Sequence, residues 1–177
     1  MIAGVAVTNA EKKQLQGLGV DERAIDIVPN PIDLDEFSIR AETGAFRRRI
    51  GVDGRPLVLF LGKLTPRKRL DVLVRAFARL RRSDVRLVVA GNDMGAGTAA
   101  QALSRSLDLN GRLIFTGLLR DRERLEALAD ADVLVYPSQH EIFGLVPLES
   151  LLSGTPVVVA GDSGCGEVVR ADRKSVV

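Results

Sequence analysis

The sequence predicts an α/β fold in which a parallel sheet is doubly wound, with helices on both of its faces. Through the middle of the chain, short apolar runs of strand length alternate with amphipathic segments of helical period. The joins between them are short and rich in Gly, Pro and Asp. Because crossovers between parallel strands are right-handed, such a series closes as one doubly wound sheet.

Five strands are expected in this sheet, and each is an almost uninterrupted apolar run. Such runs are typical of strands that are buried on both faces. Pro137 ends the fourth strand, because proline has no N–H to give to the next strand. The five predicted strands are residues 57–62, 86–90, 112–116, 132–136 and 156–160.

Four helices are expected beside these strands. The first places apolar residues at helical spacing on one face and arginines on the other. Asp121 is expected to cap the third helix, and Gly154 follows the end of the fourth. The four predicted helices are residues 69–82, 99–107, 121–129 and 144–152.

The N-terminal third has a different pattern, with a strand-like run at residues 1–7, a helix at 8–17, a short strand at 24–28 and a turn-rich link at 29–33. We expect residues 1–28 to be the tail of a preceding domain with its hinge, and residues 29–171 to be a Rossmann-like domain that is incomplete at its C-terminus. Residues 172–177 follow no strand or helix pattern. They are expected to be either a non-native tail or a short polar extension.

Composition excludes several classes of function. The chain has 177 residues, a formal charge of +2 and 4% aromatic residues without Trp, so no nucleic-acid partner is expected. One cysteine and one histidine exclude an internal disulfide and a zinc site of the usual N/S type. No apolar run is long enough to cross a bilayer. We expect a cytoplasmic location, with peripheral attachment of a longer parent enzyme to the inner membrane face compatible with the composition.

The most informative set of polar groups lies in the segment 141–149. Glu141 lies in a loop after a strand, and Glu149 lies about one turn into the following helix. The free N–H groups of that helix start favour an anion, most often a phosphate, and flanking carboxylates suit sugar hydroxyls. A structural alternative makes Glu141 a cap of the helix and Glu149 a surface residue.

Lys63 and Lys68 follow the first strand of the sheet and could neutralise a diphosphate. The alternative is a basic loop in water. The glycine-rich loop 91–97 lacks the dinucleotide-binding spacing and follows the second strand. His140 has no acidic partner beyond its neighbour, and Cys165 has no paired base, so both are interpreted as structural residues.

From residue 9 to residue 169, the chain resembles the C-terminal domain of glycosyltransferase family 4, retaining enzymes of the two-domain architecture called GT-B. The resemblance depends on several motifs in the right order, of which the glutamate pair around Phe-Gly-Leu is the most specific. The chain departs from the family at Lys63, where Arg is usual, and at Arg69, where Gly is usual. The matching segments are residues 28–33, 60–68, 89–91, 115–117, 136–138, 141–149, 154–158 and 164–169.

The resemblance implies a role for each residue of the candidate site. Lys63 and Lys68 would hold the donor diphosphate, Glu141 the hydroxyls of the transferred sugar, and Glu149 the ribose. The implied main-chain contacts are those of Phe143, Gly144 and Leu145 to the phosphates and those of Gly117, Leu118 and Leu119 to the base.

The resemblance also implies a UDP-sugar or GDP-sugar as donor, a hexosyl group as the transferred sugar, and no metal or other cofactor. An acceptor glycan, lipid or small molecule would bind a missing N-terminal domain, so the isolated chain is expected to be inactive. Three alternatives stay open. They are a non-catalytic nucleotide-sugar-binding module, a nucleotide-sugar epimerase of the same architecture, and a glycoside hydrolase that uses both glutamates.

Overall fold

The computed structural model describes residues 4–38 and 41–171. Strands and helices alternate along most of this length, with two short 3-10 turns at Glu22–Ala24 and Pro66–Lys68. In chain order they are β1 Gly4–Ala6, α1 Asn9–Gly17, β2 Ile25–Ile27, α2 Asp35–Ser38, α3 Ala45–Ile50, β3 Leu57–Leu61, α4 Leu70–Ala78, β4 Arg86–Ala90, α5 Gly97–Ser106, β5 Leu113–Gly117, α6 Asp121–Asp130, β6 Val133–Tyr136, α7 Leu145–Leu152, β7 Val157–Val159 and α8 Gly164–Ala171.

Five of the strands form one sheet in the order β5-β4-β3-β6-β7, and all of its pairs are parallel. The strand order reverses between β3 and β6, which are neighbours through Val58 opposite Val133 and Leu59 opposite Leu134. This topology confirms the doubly wound sheet. In such sheets, ligands bind outside the carboxyl ends of the strands where the order reverses.

The central strands are buried, as their apolar sequences predict. Leu57, Leu59 and Phe60 of β3 are fully buried, and so are Leu87 and Val88 of β4. Side chains on both faces of each strand contribute to one hydrophobic core. The rigid centre of the fold therefore lies directly beneath the loops that follow β3 and β6.

Predicted and observed elements agree within one or two residues at most ends, with two differences. Helix α4 ends at Ala78, four residues before the predicted end, and the chain then turns towards β4 beside the ion pair of Arg82 with Asp84 (2.5 Å). The expected Asp121 cap is wrong. Arg120 occupies the cap position of α6, and Asp121 lies within the first turn of the helix at a φ of 43°.

Two short helices before β3 were not predicted from the sequence. Helix α3 is fastened to α6 by the Asp130 carboxylate, which accepts hydrogen bonds from the main-chain N–H groups of Gly44 (2.6 Å) and Phe46 (2.9 Å). Helix α2 has only four residues. Each helix makes a contact with α6, through Asp130 for α3 and through Arg124 for α2, which a local pattern does not contain.

The N-terminal strands β1 and β2 form a separate two-stranded parallel sheet. Thr8 caps α1, its hydroxyl oxygen accepting from the N–H of Glu11 at 3.2 Å. The domain boundaries expected at residues 28 and 171 stay predictions, and residues 172–177 lie outside the described residues. In the part of the chain that the structure describes, no helix has the length and apolar character needed to cross a membrane.

Candidate functional site

The loops that follow β3 and β6 are joined at the point where the strand order reverses. The main-chain N–H of Gln139 donates to the carbonyl of Arg67 at 2.9 Å. The Lys68 ammonium donates to the Tyr136 hydroxyl and to the Glu141 carboxylate. Two of the sequence-predicted site residues, Lys68 and Glu141, therefore form an ion pair.

The surroundings of this ion pair keep Glu141 ionised. Burial alone would raise its pKa, but the hydrogen bonds from Lys68 and from the Ser138 hydroxyl (2.8 Å) outweigh burial, and the pKa lies below its usual range. The pKa of Tyr136 is raised by burial and by the Glu141 charge. The Lys68 side chain is only 10% exposed, and its Nζ lies 4.5 Å from the centre of the Tyr136 ring.

Helix α7 begins close in sequence to Glu141, and main-chain N–H groups at its start are unpaired. Gly144 occupies its cap position, and no side chain caps the helix, so the alternative in which Glu141 is the cap is wrong. Among the described residues, the main-chain N–H groups of Phe143, Gly144 and Leu145 find no hydrogen-bond acceptor. Pro147 lies in the first turn of the helix, where a missing N–H costs nothing. The helix start can therefore bind an anion.

Two glycines allow the loop before α7 to pack tightly on α8. Gly144 has a φ of 81°, and a Cβ atom there would lie 2.6 Å from the Cys165 Sγ. A Cβ atom at Gly164 would lie 1.7 Å from the carbonyl oxygen of Ile142. Any larger residue at either position must displace the loop that carries Glu141 and the open N–H groups.

The start of α1 also contacts this loop. The Thr8 hydroxyl, which is nearly fully buried, donates to the Ile142 carbonyl at 3.1 Å. The Glu167 carboxylate accepts from the main-chain N–H groups of Asn9 (3.0 Å) and Ala10 (3.1 Å). These contacts connect residues from both ends of the described chain at the candidate site.

Glu149 is half-buried and paired, so the alternative in which it is a solvated surface residue is wrong. Its Oε2 atom accepts from the Nη1 of Arg124 at 2.6 Å, and the Nη2 of Arg124 donates to Glu36. Burial raises the pKa of Glu149, and Arg124 offsets only part of that rise. Sequence reasoning missed Arg124, because nothing in the local pattern distinguishes it from Arg120 and Arg122.

In the described part of the chain, no hydrogen bond or ion pair joins the remaining candidate residues to Lys68 or Glu141. Lys63 is exposed and makes no ion pair with the described residues. Gly117 ends β5, two strands from β3, and its carbonyl accepts from the N–H of Gly91 at 2.8 Å. Leu118 is 52% exposed, whereas Leu119 is 8% exposed. The segment 117–119 therefore lies at the carboxyl edge of the same sheet.

Arg69 lies at the position where the resembled family usually has glycine. The backbone conformation at this position explains why glycine is usual there. Its φ of 53° lies in the left-handed region, which glycine adopts without strain. The guanidinium forms two hydrogen bonds to Asp71, at 3.0 and 3.1 Å. The turn after Lys68 thus keeps a glycine-type conformation although an arginine is present.

The residues interpreted as structural have structural surroundings. In the loop 91–97 the Asp93 carboxylate binds the N–H groups of Gly97 (2.8 Å) and Thr98 (3.1 Å), which fills the start of α5. Burial raises the pKa of Cys165 to about 12, which excludes a reactive thiolate at neutral pH. His140 is an exposed loop residue. Residues 4–38 and 41–171 contain no group of three His, Cys, Asp or Glu residues that could hold a metal ion.

Solved structures with the same fold define the class of protein. The Anabaena protein HepE in complex with UDP superposes with a TM-score of 0.85 at 23% identity, over 94% of this chain and 46% of that one. WaaG, a glycosyltransferase involved in lipopolysaccharide biosynthesis, superposes with a TM-score of 0.82 at 25% identity, over 95% of this chain and 47% of that one. The fold is that of one α/β half of a GT-B glycosyltransferase.

The sequence comparison specifies the family. Residues 43–177 match the model of glycosyl transferases group 1. A D-inositol 3-phosphate glycosyltransferase from Kineococcus radiotolerans is 38% identical over 95% of this chain, and an uncharacterized glycosyltransferase from Methanocaldococcus jannaschii is 33% identical over 94%. The chain belongs to the glycosyl transferases group 1 family. It spans 41% and 44% of the lengths of these two relatives.

Proposed function

We propose that this chain binds a UDP-sugar or GDP-sugar and presents the sugar for transfer. The observation that carries the proposal is the meeting of Lys68, Glu141 and the open start of α7 at the point where the strand order reverses. Cationic and N–H donors lie there beside an ionised carboxylate. A nucleoside diphosphate-sugar carries the matching groups, a diphosphate next to a sugar rich in hydroxyls.

The diphosphate is assigned to the cations and the helix start. The Lys68 ammonium has three N–H donors, and its two acceptors in the described residues leave one donor for a phosphate oxygen. Lys63 is exposed at the same edge of the sheet and adds a second positive charge. The N–H groups of Phe143, Gly144 and Leu145 complete the proposed phosphate site.

The two glutamates and the end of β5 are assigned to the rest of the donor. Glu141, held ionised by Lys68, would accept hydrogen bonds from hydroxyls of the transferred sugar. Glu149 would accept from the ribose. The main chain of Gly117, Leu118 and Leu119 would contact the base, for which the exposed Leu118 offers an apolar surface.

Within a longer enzyme, we propose retaining transfer of a hexosyl group to an acceptor hydroxyl of a glycan, a lipid or a small molecule. The bond between the anomeric carbon and the phosphate oxygen breaks, and a bond from the acceptor oxygen forms on the same face of the sugar. The acceptor proton passes to the departing phosphate. Lys63, Lys68 and the helix start stabilise the charge that grows on the diphosphate, so no metal ion is invoked.

The geometry gives less support to hydrolysis by the glutamate pair. A glycoside hydrolase needs one carboxylic acid that is protonated beside the leaving oxygen. Lys68 and Ser138 keep Glu141 ionised, and the contact with Arg124 offsets part of the rise that burial gives the pKa of Glu149. Donor binding uses Glu141 in the ionised form and the Glu149 carboxylate as a hydrogen-bond acceptor, which agrees better with these contacts.

Calorimetry of the 177-residue chain with UDP and with GDP tests donor binding. We expect weak binding of one of the two, and loss of most of that affinity in Lys68→Ala, because a charged hydrogen bond contributes roughly 1.5–3 kcal/mol. Arg81→Ala removes an exposed cation outside the site and is the matched control. Equal affinity in Lys68→Ala, or no binding of either nucleotide, would overturn the proposal.

A further inference from the structure

Arg124 lies between two carboxylates and is not one of the residues assigned to the donor. Its Nη1 donates to the Oε2 of Glu149 at 2.6 Å, and its Nη2 donates to Glu36. The Arg124 and Glu149 side chains are 19% and 18% exposed. The guanidinium is planar, and fixing both of its terminal nitrogens fixes the direction from which it approaches Glu149.

We infer that Arg124 is the positioning residue for the ribose-binding carboxylate, and this rests on the proposed role of Glu149. The guanidinium holds Oε2, whereas Oε1 accepts no hydrogen bond from the described residues. One oxygen of the carboxylate is thus anchored, and the other is left to accept from a ribose hydroxyl. A carboxylate that is already immobilised loses less conformational entropy when the ligand binds.

Arg124 also favours the charged form of this half-buried carboxylate. Burial raises the pKa of Glu149, Arg124 lowers it, and the negative charge of Glu36 raises it again. Arg124 of α6 and Glu36 of α2 are the charged groups that act on Glu149. Without the guanidinium, burial and Glu36 act together, and the pKa of Glu149 rises further. Its ionised form is then lost at a higher pH as the solution is acidified.

The test measures UDP and GDP affinity by calorimetry between pH 6 and pH 8. We expect Arg124→Gln to lose more affinity than wild type on going from pH 8 to pH 6, by up to about tenfold, the lower end of what a charged hydrogen bond contributes. Arg124→Lys should restore part of the affinity at pH 6. Arg122→Gln is the matched control on the same helix, because Arg122 pairs with Glu126 and not with Glu149.

A second pair of variants separates the titration of Glu149 from the titration of the nucleotide phosphate and of other groups. In a Glu149→Gln background, Arg124→Gln should add no pH dependence, since no carboxylate is left to position. Thermal unfolding of each variant shows that it is folded before binding is measured.

The outcomes separate the inference from the function on which it rests. Unchanged affinity in Glu149→Gln contradicts the ribose role of Glu149 itself. Weaker binding in Glu149→Gln together with an unaltered pH profile in Arg124→Gln overturns the positioning role alone. Tighter nucleotide binding by Arg124→Gln also overturns it, because the guanidinium would then be a competitor of the ribose.

Discussion

Lys68 and Glu141 form an ion pair that joins the loop after β3 to the loop after β6. Both side chains are largely buried, 10% and 14% exposed. Each ion is therefore poorly solvated, and each depends on the other for compensation. The same pair places the cation proposed to bind a phosphate next to the carboxylate proposed to bind the sugar.

Removing Lys68 should destabilise the fold, because it leaves the largely buried Glu141 carboxylate without its cation. For Lys68→Met we expect the free energy of unfolding at pH 7 to fall by about 3 kcal/mol, the lower end for breaking a buried pair. Lys68→Met/Glu141→Gln should recover part of the loss. Chemical denaturation measures all three proteins, and a double variant no more stable than Lys68→Met would contradict the account.

The Glu141 carboxylate should also make stability depend on pH. Its pKa is lowered in the folded state, so its contribution is fully present above the unfolded pKa and is lost as the pH falls through the folded pKa. We expect acidification from pH 7 towards pH 3 to destabilise wild type more than Glu141→Gln. Parallel stability curves for the two proteins over this range would argue against the lowered pKa.

The two glutamates should have distinguishable effects on ligand binding. Glu149→Ala should weaken UDP and UDP-glucose alike, by about ten- to a hundredfold, since both ligands carry the ribose. Glu141→Ala should leave UDP nearly unchanged and weaken only the sugar-bearing ligand. GDP and GDP-mannose serve in the same way if the chain prefers guanine. Identical effects of Glu141→Ala on nucleotide and nucleotide-sugar would defeat the assignment.

Gly144 should not tolerate a side chain. Gly144→Ala combines a φ of 81° with a contact of 2.6 Å to Cys165, and we expect a loss of about 2 kcal/mol or more together with weaker nucleotide binding. Gly154 is the matched control, because its φ is 83° and its Cβ would meet nothing within 4 Å. Gly154→Ala should cost about 1 kcal/mol and leave binding intact. Equal effects of the two substitutions would speak against the packing on α8.

Cys165 should be inert in the folded chain. Burial raises its pKa from 9.0 to about 12, so its thiolate fraction at pH 8 falls by about a thousandfold. Alkylation by iodoacetamide should be slower by a similar factor than alkylation of the same thiol in denaturant, which is the internal control. Rapid stoichiometric alkylation at pH 8 under native conditions would contradict the buried location.

The larger elements of the fold could be predicted from the sequence because their patterns are local. An apolar run such as that of β4 predicts a strand of the same length, and the helical spacing of α4 predicts its buried face. Helix α3 could not be predicted in this way. Its six residues are too few for a clear period, and its capping carboxylate, Asp130, lies 86 residues from Gly44.

The candidate site could be predicted only in part. Strand order places Lys68 and Glu141 at one edge of the sheet, but their ion pair depends on how two loops fold over that edge. Arg124 carries no signal of its own among the arginines of α6, since only the tertiary contact with Glu149 distinguishes it. Motif analysis does not identify a residue whose proposed role depends on a partner 25 positions away.

The contacts of Thr8 and Glu167 bear on the order in which the molecule assembles. Thr8 reaches Ile142 across 134 positions of sequence, and Asn9 reaches Glu167 across 158. Contacts between residues so far apart in sequence close long loops and form slowly. Each strand–helix unit of the sheet needs only contacts between residues that are close in sequence. During synthesis, α1 is made before α8 and must wait for it. The loop that carries Glu141 therefore acquires its final support only after α8 has been made.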